Sequence, residues 1–108
     1  MTKHFFTHPG NEQEPRTLNV DAGYDRPCGH FYLNVEDGQA QDEEDAQVYI
    51  SMYDPKLFTR ERGAFMGGLT LDELEAKFTE LHITPPAGLL EVLNEDARLG
   101  RGNAVRHW

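Results

Sequence analysis

The chain has 108 residues, with 19 Asp and Glu against 10 Lys and Arg, giving a formal charge of −9. That length fits a single domain over residues 1–108, and 38% apolar residues is too many for a wholly disordered chain. No apolar run approaches the about 18 residues of a membrane span, His4, His8 and Pro9 interrupt any secretory leader, and the lone Cys28 excludes an internal disulfide and fits the cytoplasm.

Residues 3–8 suit a short strand, and Asn11 to Arg16 reads as loop. From Thr17 to Tyr24 the pattern alternates, with Leu18, Val20 and Ala22 on one side and Thr17, Asn19 and Asp21 on the other, as in a half-buried strand. Gly23 through Gly29 breaks that pattern. His30 to Glu36 predicts a second strand, with Phe31, Leu33 and Val35 on one face and Tyr32, Asn34 and Glu36 on the other. Gln47 to Tyr53 predicts a third, with Val48, Ile50 and Met52 inward, ended by Asp54-Pro55.

Lys56 to Gly68, with Gly63, Gly67 and Gly68, reads as an irregular connection. Thr70 and Glu73 have capping-box spacing, followed by Leu71, Leu74, Phe78 and Leu81 at helical intervals. Thr84-Pro85-Pro86 stops this helix, and Pro86 suits the first position of a second one. Leu89, Leu90, Leu93 and Ala97 form the stripe of that second helix, which ends before Gly100. The tail is loop or a last short strand on a sheet edge. The expected fold is α+β: a small antiparallel sheet of three to four strands covered by a C-terminal helical hairpin, in the order β-β-β-α-α. Residues 1–16 and 99–108 are expected to be the most loosely ordered.

The charge divides unevenly. Residues 98–108 hold Arg98, Arg101 and Arg106 and no acid, which leaves the first 97 residues at −12. An acidic body disfavours nucleic acid and anionic membranes as direct ligands, since both are polyanions. It suits a basic protein partner, or serves solubility alone. The densest acid run is Glu36, Asp37, Asp42, Glu43, Glu44 and Asp45, which lacks the alternate spacing of an EF-hand loop. It reads either as a solvated hairpin tip or as an anionic recognition surface.

Four further features bear on chemistry. Tyr24, Asp25 and Arg26 occupy a turn and serve either recognition or the turn itself. Cys28 and His30, two apart, would project to one side and suit a small enzyme or a metal protein, although no orienting third group is visible. His4, His8, His30, His82 and His107 lack the tight spacing of a zinc motif. Gly100-Arg101-Gly102-Asn103 resembles a phosphate-cradling loop but does not follow a strand and open a helix. No catalytic set is found, and no cofactor is implied.

His4-Phe5-Phe6, Gly23-Tyr24-Asp25-Arg26-Pro27, Phe31-Tyr32-Leu33-Asn34-Val35, the strand ending Asp54-Pro55, and Gly102-Asn103-Ala104-Val105-Arg106-His107 resemble a group of short bacterial proteins of plasmids, integrative elements and prophages. Cys28-Gly29-His30 and the long acidic insertion depart from that pattern. The resemblance implies a bacterial mobile-element setting and no activity. The leading expectation is a non-enzymatic protein docking Tyr24, Asp25, Arg26, Asp42, Glu43, Glu44 and Asp45 against a basic partner. Alternatives are an anti-CRISPR-type inhibitor mimicking nucleic acid, a small enzyme or metal-binding protein using Cys28 and His30, and a homodimer joined through sheet edges.

Overall fold

A computed structural model describes residues 1–57 and 68–108. Its elements are β1 (Thr2–His8), β2 (Leu18–Asp25), β3 (His30–Asp37), α1 (Glu43–Ala46), β4 (Gln47–Ile50), α2 (Leu71–Glu80), α3 (Leu89–Leu99) and β5 (Ala104–His107). Among the described residues the strands form one sheet in the order β4-β3-β2-β1-β5. β1 to β4 are antiparallel neighbours, whereas β5 runs parallel to β1.

The α+β expectation holds, and its finer form needs correcting. The sheet has five strands and is mixed, and the helical pair is followed by a strand rather than ending the chain. The reason is topological. β4 and β5 lie at opposite edges, four inter-strand spacings or about 19 Å apart, so the chain must cross the sheet between them. α2 and α3 lie along that crossing and cover one face. Thr2–His8 and Ala104–His107 are paired strands in this arrangement.

The core follows the predicted alternation. Phe6, Leu18, Val20, Ala22, Phe31, Leu33 and Val35 from the sheet meet Leu74, Phe78, Leu89 and Leu93 from the helices. The Phe6 and Phe78 rings pack at 6.0 Å between centroids. Each fully buried leucine contributes about 1.5–3 kcal/mol relative to exposure.

α2 begins where the capping box predicts. Thr70 Oγ1 accepts from Glu73 N–H at 3.1 Å, and Glu73 Oε1 accepts from Thr70 N–H at 2.9 Å. α3 starts at Leu89 rather than Pro86. Gly88 takes a left-handed conformation (φ 90°) at the N-cap, which turns the chain between the prolines and the helix.

β4 departs most from its pattern. It stops at Ile50, and Ser51–Tyr53 forms a 3-10 turn. A register shift between Val35 and Glu36 upsets the alternation, so Val48 and Tyr49 both pack against the core while Met52 and Tyr53 are exposed. Ser51 is buried, and its hydroxyl accepts the Leu33 N–H at 3.0 Å. Further along the same edge, Phe31 and Leu69 exchange backbone hydrogen bonds. Of the connection expected over residues 56–68, Pro55–Leu57 is a 3-10 turn, and residues 58–67, with Gly63 and Gly67, lie outside the described ones.

A buried polar chain fastens the far edge. Trp108 Nε1 donates to His4 Nδ1 at 3.1 Å, and His4 Nε2 lies 2.8 Å from Asp96 Oδ2. An indole N–H only donates, so Nδ1 is the acceptor and Nε2–H donates to Asp96. Arg101 supplies a second donor to Asp96 at 2.7 Å. Asp96→Ala would leave the buried His4 N–H without its acceptor, which should lower stability by about 1–3 kcal/mol. Urea unfolding followed by fluorescence of Trp108, the single tryptophan, checks this. An unchanged midpoint would show that the network contributes nothing.

Candidate functional site

The helices cover one face of the sheet, and the polar positions of β1, β2 and β3 occupy the other. There, Lys3, Asp21, Asp25, His30, Tyr32 and Asn34 line a hollow of about 320 Å³, whose remaining wall includes Met1, Ile50, Met52 and Tyr53. Met52 and Tyr53 are 40% and 65% exposed, so the rim is apolar and the floor polar.

The floor is held by hydrogen bonds. Tyr32 Oη lies 2.7 Å from Asp21 Oδ1 and 3.0 Å from the Thr2 carbonyl oxygen, so its one proton is shared between two acceptors. Thr2 Oγ1 in turn accepts the Tyr24 N–H at 2.9 Å. Burial, then the Asp21 carboxylate, pushes the Tyr32 hydroxyl well above its ordinary range. Burial also raises the Asp21 carboxyl, against the hydrogen bond from Tyr32 and the charge of Lys3.

At one end of the hollow the β2–β3 register places Asp25 directly opposite His30. Residues 26–29 form the turn between them, closed by a hydrogen bond from Gly29 N–H to the Asp25 carbonyl at 2.8 Å. Gly29 has φ +70°, a value that L side chains rarely adopt. Ligand atoms of Asp25, Cys28 and His30 all lie within 4.8 Å of one another. Although Cys28 is exposed, local desolvation first, then the charge and hydrogen bond of Asp25, pushes its thiol up. That opposes thiolate formation and disfavours Cys28 as a nucleophile.

The other predicted residues are dispersed. Tyr24 turns inward, packing against the core and the Phe31 ring at 5.4 Å. Arg26 reaches toward the Gly100 carbonyl, 3.5 Å away. The turn therefore does not present Tyr24, Asp25 and Arg26 as one surface. Asp42, Glu44 and Asp45 are exposed around α1, and no ion pair engages them among the described residues. His4 and His8 share the inward face of β1 but do not converge on a metal site. Both nitrogens of His4 are engaged, and His8 Nε2 donates to the Glu14 carbonyl at 3.0 Å. His107 stacks on Phe5. Arg101, in the glycine-rich segment, pairs with Glu95 and Asp96.

Sequence reasoning missed Lys3, Asp21 and Tyr32 as site residues. The signal is present, because Asp21 and Tyr32 fall on the polar sides of their strands; what the pattern does not show is that α2 and α3 cover only the other face.

A second hollow, at the β4 edge, is lined by Tyr49, Asp54 and Lys77 among others. Its polar groups serve packing. Tyr49 Oη donates to Asp54 Oδ2 at 2.7 Å, and the Lys77 ammonium lies 4.7 Å from the Tyr49 ring centroid.

The raised Asp21 carboxyl has a stability consequence. The folded chain holds that proton more tightly than the unfolded chain. The stability it contributes is therefore present below the ordinary aspartate value of about 3.9 and is lost as pH rises through the higher folded value. Asp21→Asn keeps an acceptor for Tyr32, and its melting temperature should exceed the parent's at neutral pH, with the gap closing in acid. Thermal unfolding at both pH values measures this.

No protein-family model, curated protein or solved structure matches the chain.

Proposed function

We propose that this chain is a non-enzymatic binding protein that presents the sheet face opposite its helices to a basic segment of a partner protein. The observation that carries the reading is the hollow itself: carboxylates Asp21 and Asp25 on the floor beside the exposed apolar rim of Met52 and Tyr53. Lysine or arginine side chains bring charge to the floor, and their aliphatic stems cover apolar surface. Glu36, an exposed residue on the polar side of β3, lies close enough to act on Asp21 electrostatically. Asp42, Glu44 and Asp45, in the connection leading to β4, widen the negative field that attracts such a segment.

Two features speak against a catalyst built from the sequence candidates. Local desolvation and Asp25 hold the Cys28 thiol up, and His4 is engaged at both nitrogens inside the core. The resemblance of the short motifs to proteins of plasmids, integrative elements and prophages supports a bacterial mobile element as the setting. No helix among the described residues is long and apolar enough to cross a membrane.

Titrating a lysine- and arginine-rich peptide into the isotopically labelled protein tests the docking reading by nuclear magnetic resonance. Amide shifts should concentrate at Asp21, Asp25, Tyr32, Ile50 and Tyr53, and binding should weaken as salt is added. Tyr53→Ala and Asp25→Asn should each weaken it further. Shifts spread evenly over all acidic positions, or centred on α1 alone, would defeat the assignment to the sheet face.

A further inference from the structure

We infer that Asp25, Cys28 and His30 form a site for one zinc-like divalent cation at the end of the β2–β3 hairpin. The claim rests on donor chemistry and placement. A carboxylate oxygen, a sulfur and an imidazole nitrogen are the three ligand types that zinc takes, and here all lie within 4.8 Å of one another. A tetrahedral ion with ordinary zinc bond lengths holds its donors about 3.3–3.7 Å apart. Closing the remaining gap therefore asks the donors to approach by about an ångström at a surface turn.

The hairpin brings these groups together by construction. Asp25 and His30 are the last cross-strand pair of β2 and β3, so both project from the same face of the sheet. Cys28 comes from the turn between them, whose shape is set by Pro27 and by Gly29 in its left-handed conformation. The His30 ring is positioned from a distant part of the chain as well. A Cβ added at Gly68 would meet that ring at 2.3 Å, so glycine there lets the backbone beside Leu69 lie against the imidazole. His30 Nδ1 also lies 3.3 Å from the Phe31 carbonyl oxygen.

Zinc displaces the Cys28 proton on binding, and the sulfur and imidazole then select it over magnesium or calcium, which prefer all-oxygen surroundings. Three protein donors leave a fourth position for water. Asp25 and His30 line the hollow, so the ion lies at its rim. The site shares Asp25 with the docking reading, but zinc binding is scored without any peptide present, so failure of one reading is distinguishable from failure of the other.

The test is zinc titration of the metal-stripped, reduced protein against a chromophoric chelator, with cobalt as a spectroscopic substitute. One equivalent of zinc should bind and raise the melting temperature, and cobalt should show a thiolate charge-transfer band. Cys28→Ser should abolish that band and weaken zinc by at least about tenfold, since loss of even an outer partner of a ligand costs about 10–100-fold. Cys28 is exposed, so this variant tests the site without disturbing the core. His30→Gln and Asp25→Asn, checked by circular dichroism for retained folding, should weaken zinc likewise, and His107→Gln should bind as the parent does. Absence of stoichiometric zinc in the parent, or undiminished binding by Cys28→Ser, would overturn the assignment.

Discussion

A carboxyl group only 2% exposed sets the terms for this fold. Asp96 sits on α3, inside the layer between helices and sheet, where a polar group without partners costs several kcal/mol. It is tolerated because His4 of β1 and Arg101, just beyond α3, both donate to it. Trp108 completes the chain by donating to His4, and the Arg106 guanidinium lies 3.9 Å from the Trp108 ring centroid. One requirement for hydrogen-bond satisfaction thus fixes the position of α3, the inward face of β1 and the seating of β5 together.

The opposite edge is managed by different means. β3 carries more hydrogen-bonding groups along its outer side than the four-residue β4 can serve. Ser51 takes the Leu33 N–H through its side chain, and Leu69 takes both backbone groups of Phe31. The outer side of β3 is thus served in three ways, while β4 and β5 remain the edge strands of the sheet.

What was legible in the sequence was local. The Thr70–Glu73 box and the alternation of β2 and β3 depend on residues a few positions apart, and both appear as expected. β4 went wrong because a register shift and a serine hydroxyl, neither visible in an apolar pattern, ended it early. The His4–Asp96 chain was illegible because it joins residues far apart in sequence. The candidate site was half visible. Cys28 and His30 were paired by spacing, while Asp25 was grouped with Tyr24 and Arg26. Only the strand register shows that Asp25 and His30 stand opposite each other, and that Tyr24 points the other way.

The Trp108–His4 and His4–Asp96 contacts span 104 and 92 positions. Contacts of such separation require most of the loop-closure entropy to be spent before they return anything. The pairings of β1 with β2 and of β2 with β3 need no such wait, because their partners are neighbours in the chain. The order of assembly this implies starts from those strands, with β5 docking last. Fraying of β5 is also not a purely local event: losing Trp108 strips the buried His4 of a partner, so opening at the edge carries a cost in the interior.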